Sequence, residues 1–317
     1  MSKTKLRLGT RGSPLARWQA DWTAGELRSL GYDIELVPIT TSGDREQVTP
    51  IGVLGVQGVF TKELQRALLD DAIDFAVHSL KDLPTEPTPG LCLTAVPNRG
   101  PTGDCLVSAK YRSWEELPQG AIVGTGSKRR RSQLLHVRPD LRMEDVRGNV
   151  DTRLRKLHEG QYDAIILAEA GLVRLKLGEH IAEVLPRHMM ISAVGQGALG
   201  MECRENDRTT RDALAKLNDA ATHHAVIAER SLLHSLRGGC LAPIGAASRI
   251  EEDGRLHLSA VVLRSDGSER LFAHASAAPA EALKLGEQVA NELLAHGAAR
   301  LIAESRDAAQ GHIAPTK

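Results

Sequence analysis

Residues 6–39, LRLGTRGSPLARWQADWTAGELRSLGYDIELVPI, contain the pattern that sets the fold of this chain. The apolar run over residues 6–10 predicts a short strand, and the run over 34–39 predicts a second one. Between them, Ser13 and Pro14 mark a helix start, because serine caps helix N-termini and proline suits the first helical position. A strand, a helix and a strand in this order favour a parallel sheet in an α/β domain.

The alternation of strands and helices continues along the chain. The further predicted elements are a helix over 60–71, strands over 75–80, 122–125, 143–147 and 163–167, helices over 128–137, 150–159, 221–236 and 282–295, a hairpin of residues 256–264 and 270–275, and a polar tail after about residue 306. The glycine-rich segments 98–103 and 192–197 predict connections between units, and the glycines of 41–58 predict a mobile loop. We therefore expect two α/β units followed by a smaller α+β unit.

The composition limits the class of protein. Apolar residues make up 42% of the 317 residues, which is enough for sizeable cores. Lysine plus arginine equals aspartate plus glutamate, at 40 each, and this balance argues against a dedicated nucleic-acid binder. Because no signal-type apolar stretch opens the sequence and no run approaches the length of a membrane span, we expect a cytoplasmic protein that does not enter a membrane.

The four cysteines, Cys92, Cys105, Cys203 and Cys240, lack the spacing of a zinc site, so we predict free thiols and no metal. Cys92 and Cys105 lie in apolar runs, which predicts small core residues. Cys240 differs because two glycines precede it. A thiol on such a loop can act as a nucleophile, although the tripeptide alone favours an inert buried cysteine.

Two predicted strand-to-helix turns carry arginine and backbone N–H groups that suit an anion. They are Thr10-Arg11-Gly12-Ser13 and Gly124-Thr125-Gly126-Ser127-Lys128-Arg129-Arg130-Arg131. Four cations in one first helical turn oppose the helix dipole, so we expect a compensating negative charge, such as a bound polycarboxylate. The alternatives are an ordinary capped turn for the first stretch and a basic surface patch for the second.

Lys81-Asp82 follows the predicted strand 75–80, at the edge where α/β proteins bind ligands. A carboxylate beside a cation can stabilise a positive intermediate or protonate a leaving amine, and a turn cap is the alternative. The second α/β unit adds three arginines, each of which would by itself suit a surface ion pair. As a set they match a substrate that carries many carboxylates, and they are Arg147, Arg153 and Arg174.

Together these motifs closely resemble the porphobilinogen deaminase family over residues 5 to about 305. The matching stretches are LGTRGSPLARWQA, GVFTKELQRALL, FAVHSLKDLPTE, GTGSKRRRSQL, DVRGNVDTRLRKL, YDAIILAEAGLVRL, SAVGQGALGMECR and ERSLLHSLRGGCLAPIG. The resemblance implies an α/β fold of two periplasmic-binding-protein-like lobes with a small C-terminal α+β domain. It divides the chain into domain 1 (1–97 and 198–217), domain 2 (98–197, including the crossing segments) and domain 3 (218–317), which carries the cofactor cysteine.

The resemblance also implies a reaction. The family joins four porphobilinogen molecules head to tail, with loss of ammonia, and releases hydroxymethylbilane for tetrapyrrole (haem and porphyrin) biosynthesis. The resemblance implies a transferase that works as a monomer. It also implies a dipyrromethane cofactor on which the product is built, bound by a thioether to the cysteine that matches Cys240. The aspartate that matches Asp82 contacts pyrrole N–H groups and stabilises azafulvenium-like cations. Each pyrrole carries an acetate and a propionate, which accounts for the many arginines.

Carried over position by position, the resemblance implies three groups of site residues. Asp82 is the implied catalytic residue. The residues implied in cofactor binding are Cys240, Lys81, Asp82, Thr125, Ser127, Arg129 and Arg130. The residues implied in binding porphobilinogen or the growing chain are Arg11, Ser13, Gln19, Arg147, Arg153 and Arg174.

Three positions depart from the family pattern. Gln57 stands where the family usually has lysine, Gly126 replaces a common serine, and Lys128 stands where an apolar residue is common. None of these changes Cys240 or Asp82, so we expect activity. Two other functions are also weighed: an anion-binding protein on the same two-lobe scaffold, and a nucleic-acid module, which the zero net charge disfavours.

Overall fold

The computed structural model describes residues 4–41, 61–239 and 242–310 of the chain. The strands are β1 Lys5–Thr10, β2 Asp33–Pro38, β3 Phe75–Ser79, β4 Leu91–Ala95, β5 Asp104–Val107, β6 Ile122–Gly124, β7 Arg142–Glu144, β8 Ala164–Ala168, β9 Ile181–Val184, β10 Leu199–Arg204, β11 Ile244–Ile250, β12 Leu256–Leu263 and β13 Arg270–Ala277. The helices are α1 Pro14–Ser29, α2 Lys62–Leu69, α3 Lys128–Val137, α4 Val150–His158, α5 Glu169–Arg174, α6 Arg208–Ala215, α7 Ala220–Ser235, α8 Ala282–Ala295 and α9 Ala298–Gln310. Cys240, Gln57 and nearly all of the predicted loop 41–58 lie outside the described residues.

The start of the chain folds as its local sequence predicts. The hydroxyl of Ser13 caps α1 by accepting the N–H of Ala16 at 3.4 Å, and Pro14 is the first helical residue. The buried face of α1, which includes Leu27, packs in one core with Leu8 of β1 and Phe75 of β3. The predicted β-α-β unit is therefore confirmed.

Two five-stranded sheets share one plan. In the first, which we call lobe 1, the order is β2-β1-β3-β10-β4, and in the second, lobe 2, it is β7-β6-β8-β5-β9. The first three strands of each sheet are parallel, whereas the fourth runs antiparallel to both of its neighbours. The expected parallel sheet thus holds for three strands of each lobe. The fourth strand reverses because it follows a crossing from the other lobe.

The two crossings, residues 98–103 and 192–198, lie against each other. The N–H of Gly100 donates to the carbonyl of Gly197 at 3.1 Å. Gly197 has a φ of 83°, and a Cβ there would lie 2.5 Å from the carbonyl oxygen of Pro101, so a side chain does not fit. The predicted connections are therefore a paired hinge between the lobes.

Domain 3 packs α7, α8 and α9 on an antiparallel sheet in the order β11-β12-β13. The predicted hairpin is confirmed as β12 and β13. Helix α9 was not predicted; it continues to Gln310, four residues into the stretch predicted as a polar tail, and residues 311–317 lie outside the described residues. This helix buries Ala298, Leu301 and Ile302 at a helical spacing that anchors it to the domain 3 core.

The fold class predicted for this chain, two α/β lobes with a small α+β domain, is confirmed, while the exact domain boundaries stay a prediction. Cys105 is buried, as expected of a core residue. Cys92 is only half-buried, because β4 is the edge strand of lobe 1. Within the described ranges, no helix combines the length and the apolar character needed to cross a membrane.

Candidate active site

Asp82 belongs to a tight 3-10 turn, Leu80–Asp82, that follows β3 directly. Leu80 is 1% exposed, and its N–H donates to the carbonyl of Ala198 at 3.0 Å. Gly195 lies against this turn with a φ of 69°, and a Cβ there would lie 3.2 Å from the backbone of Leu80. The second crossing therefore fixes the turn, while the side chain of Asp82 stays exposed.

A small cavity in lobe 1, of about 70 Å³, is lined by Asp82 together with Arg11, Ser13 and Gln19. Gln19 is 3% exposed, and its side-chain amide donates to the hydroxyl of Ser79 at 2.7 Å. Three of the predicted binding residues thus meet the predicted catalytic carboxylate where β1 and β3 end. Ser79 was missed by the sequence analysis, although it lies in the same motif.

A larger cavity, of about 470 Å³, lies between β4 and α6 and is lined by none of the predicted site residues. Its lining includes charged residues, but Arg208 and Asp212 have side chains that are 93% and 71% exposed and pair with each other, so they do not converge on a ligand. The Asp82 cavity is the candidate site on that ground.

Arg129 and Arg130, in the first turn of α3, are 5% and 6% exposed. Arg129 Nη1 lies 2.8 Å from Asp104 Oδ2, and Arg130 Nη2 lies 2.7 Å from Asp104 Oδ1. Burial alone would raise the pKa of Asp104, but the charges of the two guanidiniums outweigh it and hold that pKa well below its usual range. Asp104 therefore supplies the negative charge that the cations of α3 require.

The other two cations of this helical turn have backbone partners. The Nζ of Lys128 donates to the carbonyl of Ser305 on α9 at 2.7 Å, and Arg131 donates to the carbonyl of Met143 on β7 at 3.0 Å. The negative charge expected to balance the cations of this turn thus comes from within the protein. Lys128 thus links α3 of lobe 2 to α9.

Lys81 and Arg153 are cations whose pKa values are lowered by burial. Burial lowers the pKa of Lys81 to about 8; Asp82 opposes the shift and Arg130 adds to it. Lys81 keeps some contact with solvent, and within the described part of the chain its ammonium has no hydrogen-bond partner. Burial likewise lowers the pKa of Arg153 to about 10, with a smaller contribution from Arg130. A carboxylate from outside would relieve both shifts.

The remaining lobe 2 residues surround these cations. Thr125 is 2% exposed, and its hydroxyl accepts the N–H of Ser127 at 3.2 Å. The hydroxyl of Ser127 in turn caps α3. Arg147 lies 3.7 Å from the carboxylate of Asp145, and its charge contributes to the lowered pKa of Arg153. Arg147 therefore belongs to the same cationic cluster.

Arg174 lies at the crossings rather than in that cluster. Its Nη2 donates to the carbonyl of Gly197 at 2.8 Å, and its guanidinium lies over the ring of Trp18, 5.5 Å from the centroid. Burial lowers its pKa to about 10. Arg174 thus joins α5 of lobe 2, α1 of lobe 1 and the hinge.

Domain 3 reaches the hinge through Glu229 of α7, which is fully buried. Its carboxylate accepts two hydrogen bonds from Arg99, at 2.8 and 2.9 Å, and one from the N–H of Gly195 at 2.7 Å. It also accepts the hydroxyl of Ser248 at 2.7 Å. The sequence analysis missed both Glu229 and Asp104, since a single acidic residue forms no motif. The only available signal was the position of Asp104 directly after a predicted crossing.

Cys240, the predicted cofactor anchor, lies outside the described residues. Helix α7 ends at Ser235, and Gly239 has a φ of 62°, a conformation that favours glycine. The role of Cys240 stays a prediction.

Two family models match this chain. One is described as porphobilinogen deaminase, dipyromethane cofactor binding domain, and matches residues 6–212. The other is described as porphobilinogen deaminase, C-terminal domain, and matches residues 223–295. Relatives named porphobilinogen deaminase include one from Syntrophotalea carbinolica, 47% identical over 96% of each chain. Another, from Brevibacillus brevis, is 46% identical over 95% of this chain and 97% of its own length.

Among solved structures, the methionine binding protein MetQ is 13% identical to this chain. The alignment covers 67% of this chain and 89% of that chain, with a TM-score of 0.45.

Proposed function

We propose, because this chain belongs to the porphobilinogen deaminase family, that it joins four porphobilinogen molecules head to tail into hydroxymethylbilane and releases ammonia. It is thus an enzyme of tetrapyrrole biosynthesis and, more specifically, a transferase. The observation that carries the proposal is that two cations with lowered pKa values, Lys81 and Arg153, lie near one exposed carboxylate, that of Asp82. The charge of Asp82 acts on both cations.

The cationic cluster fits a dipyrromethane cofactor, because such a group brings several carboxylates to cations that lack them. We assign its binding to Lys81 together with the lobe 2 residues Thr125, Ser127, Arg129 and Arg130. Arg129 and Arg130 are already fixed by Asp104, so they offer a rigid donor surface rather than mobile side chains. The bound group, attached by a thioether to Cys240, supplies the pyrrole to which porphobilinogen units are added.

Asp82 has the catalytic role in this proposal. When ammonia leaves porphobilinogen, positive charge develops on the substrate, and a carboxylate held in place stabilises that charge. The fixed turn Leu80–Asp82 provides this position, since Ala198 and Gly195 of the second crossing hold the turn. The side chain of Asp82 also accepts pyrrole N–H groups and so orients the ring that reacts.

The substrate residues form two groups. Arg11, Ser13 and Gln19 line the cavity with Asp82 and are placed to hold the carboxylates of an incoming porphobilinogen. Arg147 and Arg153 belong to lobe 2, and we assign them to binding the growing chain. Because Arg174 contacts the hinge, we expect it to bind the growing product as the product lengthens. From the family we also expect a cytoplasmic monomer.

The test is the intact mass of the purified protein beside Cys240→Ser, with Cys92→Ser as a matched control. We expect the wild type and Cys92→Ser to exceed the sequence mass by two linked pyrrole units and Cys240→Ser to show no excess. If the wild type shows no excess, incubation with porphobilinogen decides the matter. A chain that then gains no mass and consumes no porphobilinogen would be an anion-binding protein on the same scaffold.

A further inference from the structure

Cys92 and Cys203 face each other across two strands of lobe 1, away from the candidate active site. Cys92 on β4 pairs with Cys203 on β10 in antiparallel register. The hydroxyl of Thr94 lies 3.2 Å from the sulfur of Cys92 and 3.0 Å from that of Cys203, so it bridges the two thiols. Directly opposed residues of antiparallel strands have Cα atoms about 4.5–5.5 Å apart, and a disulfide accepts about 4.4–6.8 Å. The strand register therefore brings the two Cα atoms into the range that a disulfide accepts.

The two thiols differ in access. Cys92 is half-buried and lines the cavity of about 470 Å³ between β4 and α6, which is large enough to admit a small reagent. Cys203 is fully buried in the core of lobe 1. An oxidant from solvent thus reaches Cys92 first, and Cys92 is the residue that lies opposite Cys203 in the strand register. Cys105 is a buried cysteine of lobe 2 and serves as an internal reference.

We propose that Cys92 and Cys203 form a reversible dithiol–disulfide site that is oxidised by hydrogen peroxide. The sulfur of Cys92 attacks one peroxide oxygen, the O–O bond breaks, and Cys92 becomes a sulfenic acid while one water is released. The sulfur of Cys203 then attacks the sulfur of Cys92, and the S–O bond breaks. The leaving hydroxide takes the proton of Cys203 as a second water, with the Thr94 hydroxyl placed to pass that proton on.

The disulfide would join two strands that lead to the hinge. β4 runs into the first crossing, and β10 begins where the second crossing ends. Disulfides that solvent can reach are more easily reduced, and Cys92 lines an open cavity, so we expect ordinary thiols to reverse this bond. The proposal uses neither Asp82 nor Cys240, so it is independent of the proposed function.

The experiment uses the full-length protein treated with hydrogen peroxide. Remaining thiols are blocked with N-ethylmaleimide under denaturing conditions, and unreduced peptides are mapped by mass spectrometry. We expect a peptide that links Cys92 to Cys203, its loss after dithiothreitol, and full N-ethylmaleimide labelling of Cys105. Because the wild-type chain itself is mapped, the result does not depend on the folding of a variant.

Two variants sharpen the result. Thr94→Val should slow formation of the linked peptide several-fold and let a sulfenic-acid reagent such as dimedone capture Cys92. Cys203→Ala should convert Cys92 to the sulfinic acid instead. The proposal is overturned if wild-type Cys92 reaches the sulfinic acid while Cys203 stays fully labelled. It is equally overturned if neither residue reacts, or if the link forms to another cysteine.

Discussion

The two strand-to-helix turns that begin α1 and α3 are built alike and used differently. β1 and β6 hold the same place in their sheets, and each is followed by a serine that caps the next helix, Ser13 in lobe 1 and Ser127 in lobe 2. In lobe 1 the arginine of the turn, Arg11, keeps contact with solvent and lines the cavity of Asp82. In lobe 2 the arginines are turned inward.

That difference arises from one buried carboxylate. Asp104 draws Arg129 and Arg130 into lobe 2, where they are almost fully buried. Charges with a permanent internal partner are rigid, which suits a group that stays bound through every turnover. An accessible arginine beside an exposed carboxylate suits substrates that arrive and leave. We infer that the lobe 2 turn suits a group that stays bound, whereas the lobe 1 turn suits substrates that exchange.

The largest expected effect comes from removing the exposed carboxylate of lobe 1. Asp82→Asn should keep the fold and lower turnover of porphobilinogen by about a hundredfold or more, since the amide does not balance a developing cation. Product formation is followed by absorbance after cyclisation, and Asp21→Asn on the exposed side of α1 is the control. Turnover close to that of the control would remove the proposed role of Asp82.

Removing the buried carboxylate that pairs with the lobe 2 turn should lower the stability of the protein. Asp104→Asn leaves two buried guanidiniums without their carboxylate, and breaking a buried ion pair costs about 3–5 kcal/mol. We expect a loss of this size in the free energy of unfolding by urea, together with poor cofactor loading. Asp140→Asn is the control, because its ion pair with Arg138 is more exposed to solvent. Equal losses of unfolding free energy in both variants would contradict the proposal that Asp104 fixes the lobe 2 turn, because its buried ion pairs would then contribute no more stability than a more exposed one.

Lys81, on the 3-10 turn that also carries Asp82, offers a pH test of cofactor loading. Its pKa of about 8 means that the free protein loses this charge as the pH rises above 8, whereas a bound carboxylate raises that pKa again. Cofactor loading should therefore become slower, relative to Lys81→Arg, by up to about tenfold per pH unit above 8. The measurement is the intact mass of apo-protein over time at pH 7 to 9.5. A constant ratio between the two proteins would show that the charge of Lys81 does not assist loading.

The smallest effect tests what the two turns share. Ser13→Ala and Ser127→Ala each remove one helix cap, which costs about 1 kcal/mol. Urea unfolding should show similar losses in both variants, because each serine accepts one backbone N–H at the same helical position. A loss in only one lobe would mean that the caps are not equivalent.

Much of the fold follows from local patterns. The helix that begins at Pro14 and the hairpin of β12 and β13 were predicted because caps, periodicity and turn residues act over a few neighbours. Helix α9 was missed although Ala298, Leu301 and Ile302 have a helical spacing, because the charged residues near its end suggested a solvated tail. The antiparallel direction of β5 and β10 was missed because it depends on a crossing between lobes, which no local pattern records.

The candidate site, too, was predicted from the sequence only in part. Its motifs were visible in the sequence because arginine, serine and glycine around a helix start have a local reason to occur together. The pairing of Asp104 with Arg129 and Arg130 was not visible, since the partners lie more than twenty residues apart and in different elements. The same holds for Glu229, which meets Arg99 over 130 residues of chain.

By itself, the sequence determined the strands and helices, the capped turns, the stock of arginines and the family to which the chain belongs. Only the tertiary structure decided which cations pair with a buried carboxylate and which have pKa values lowered by burial. It also placed Cys92 opposite Cys203. The physical reason is that charge and access depend on burial and on neighbours brought together by long-range packing, whereas secondary structure depends mainly on residues close in the chain.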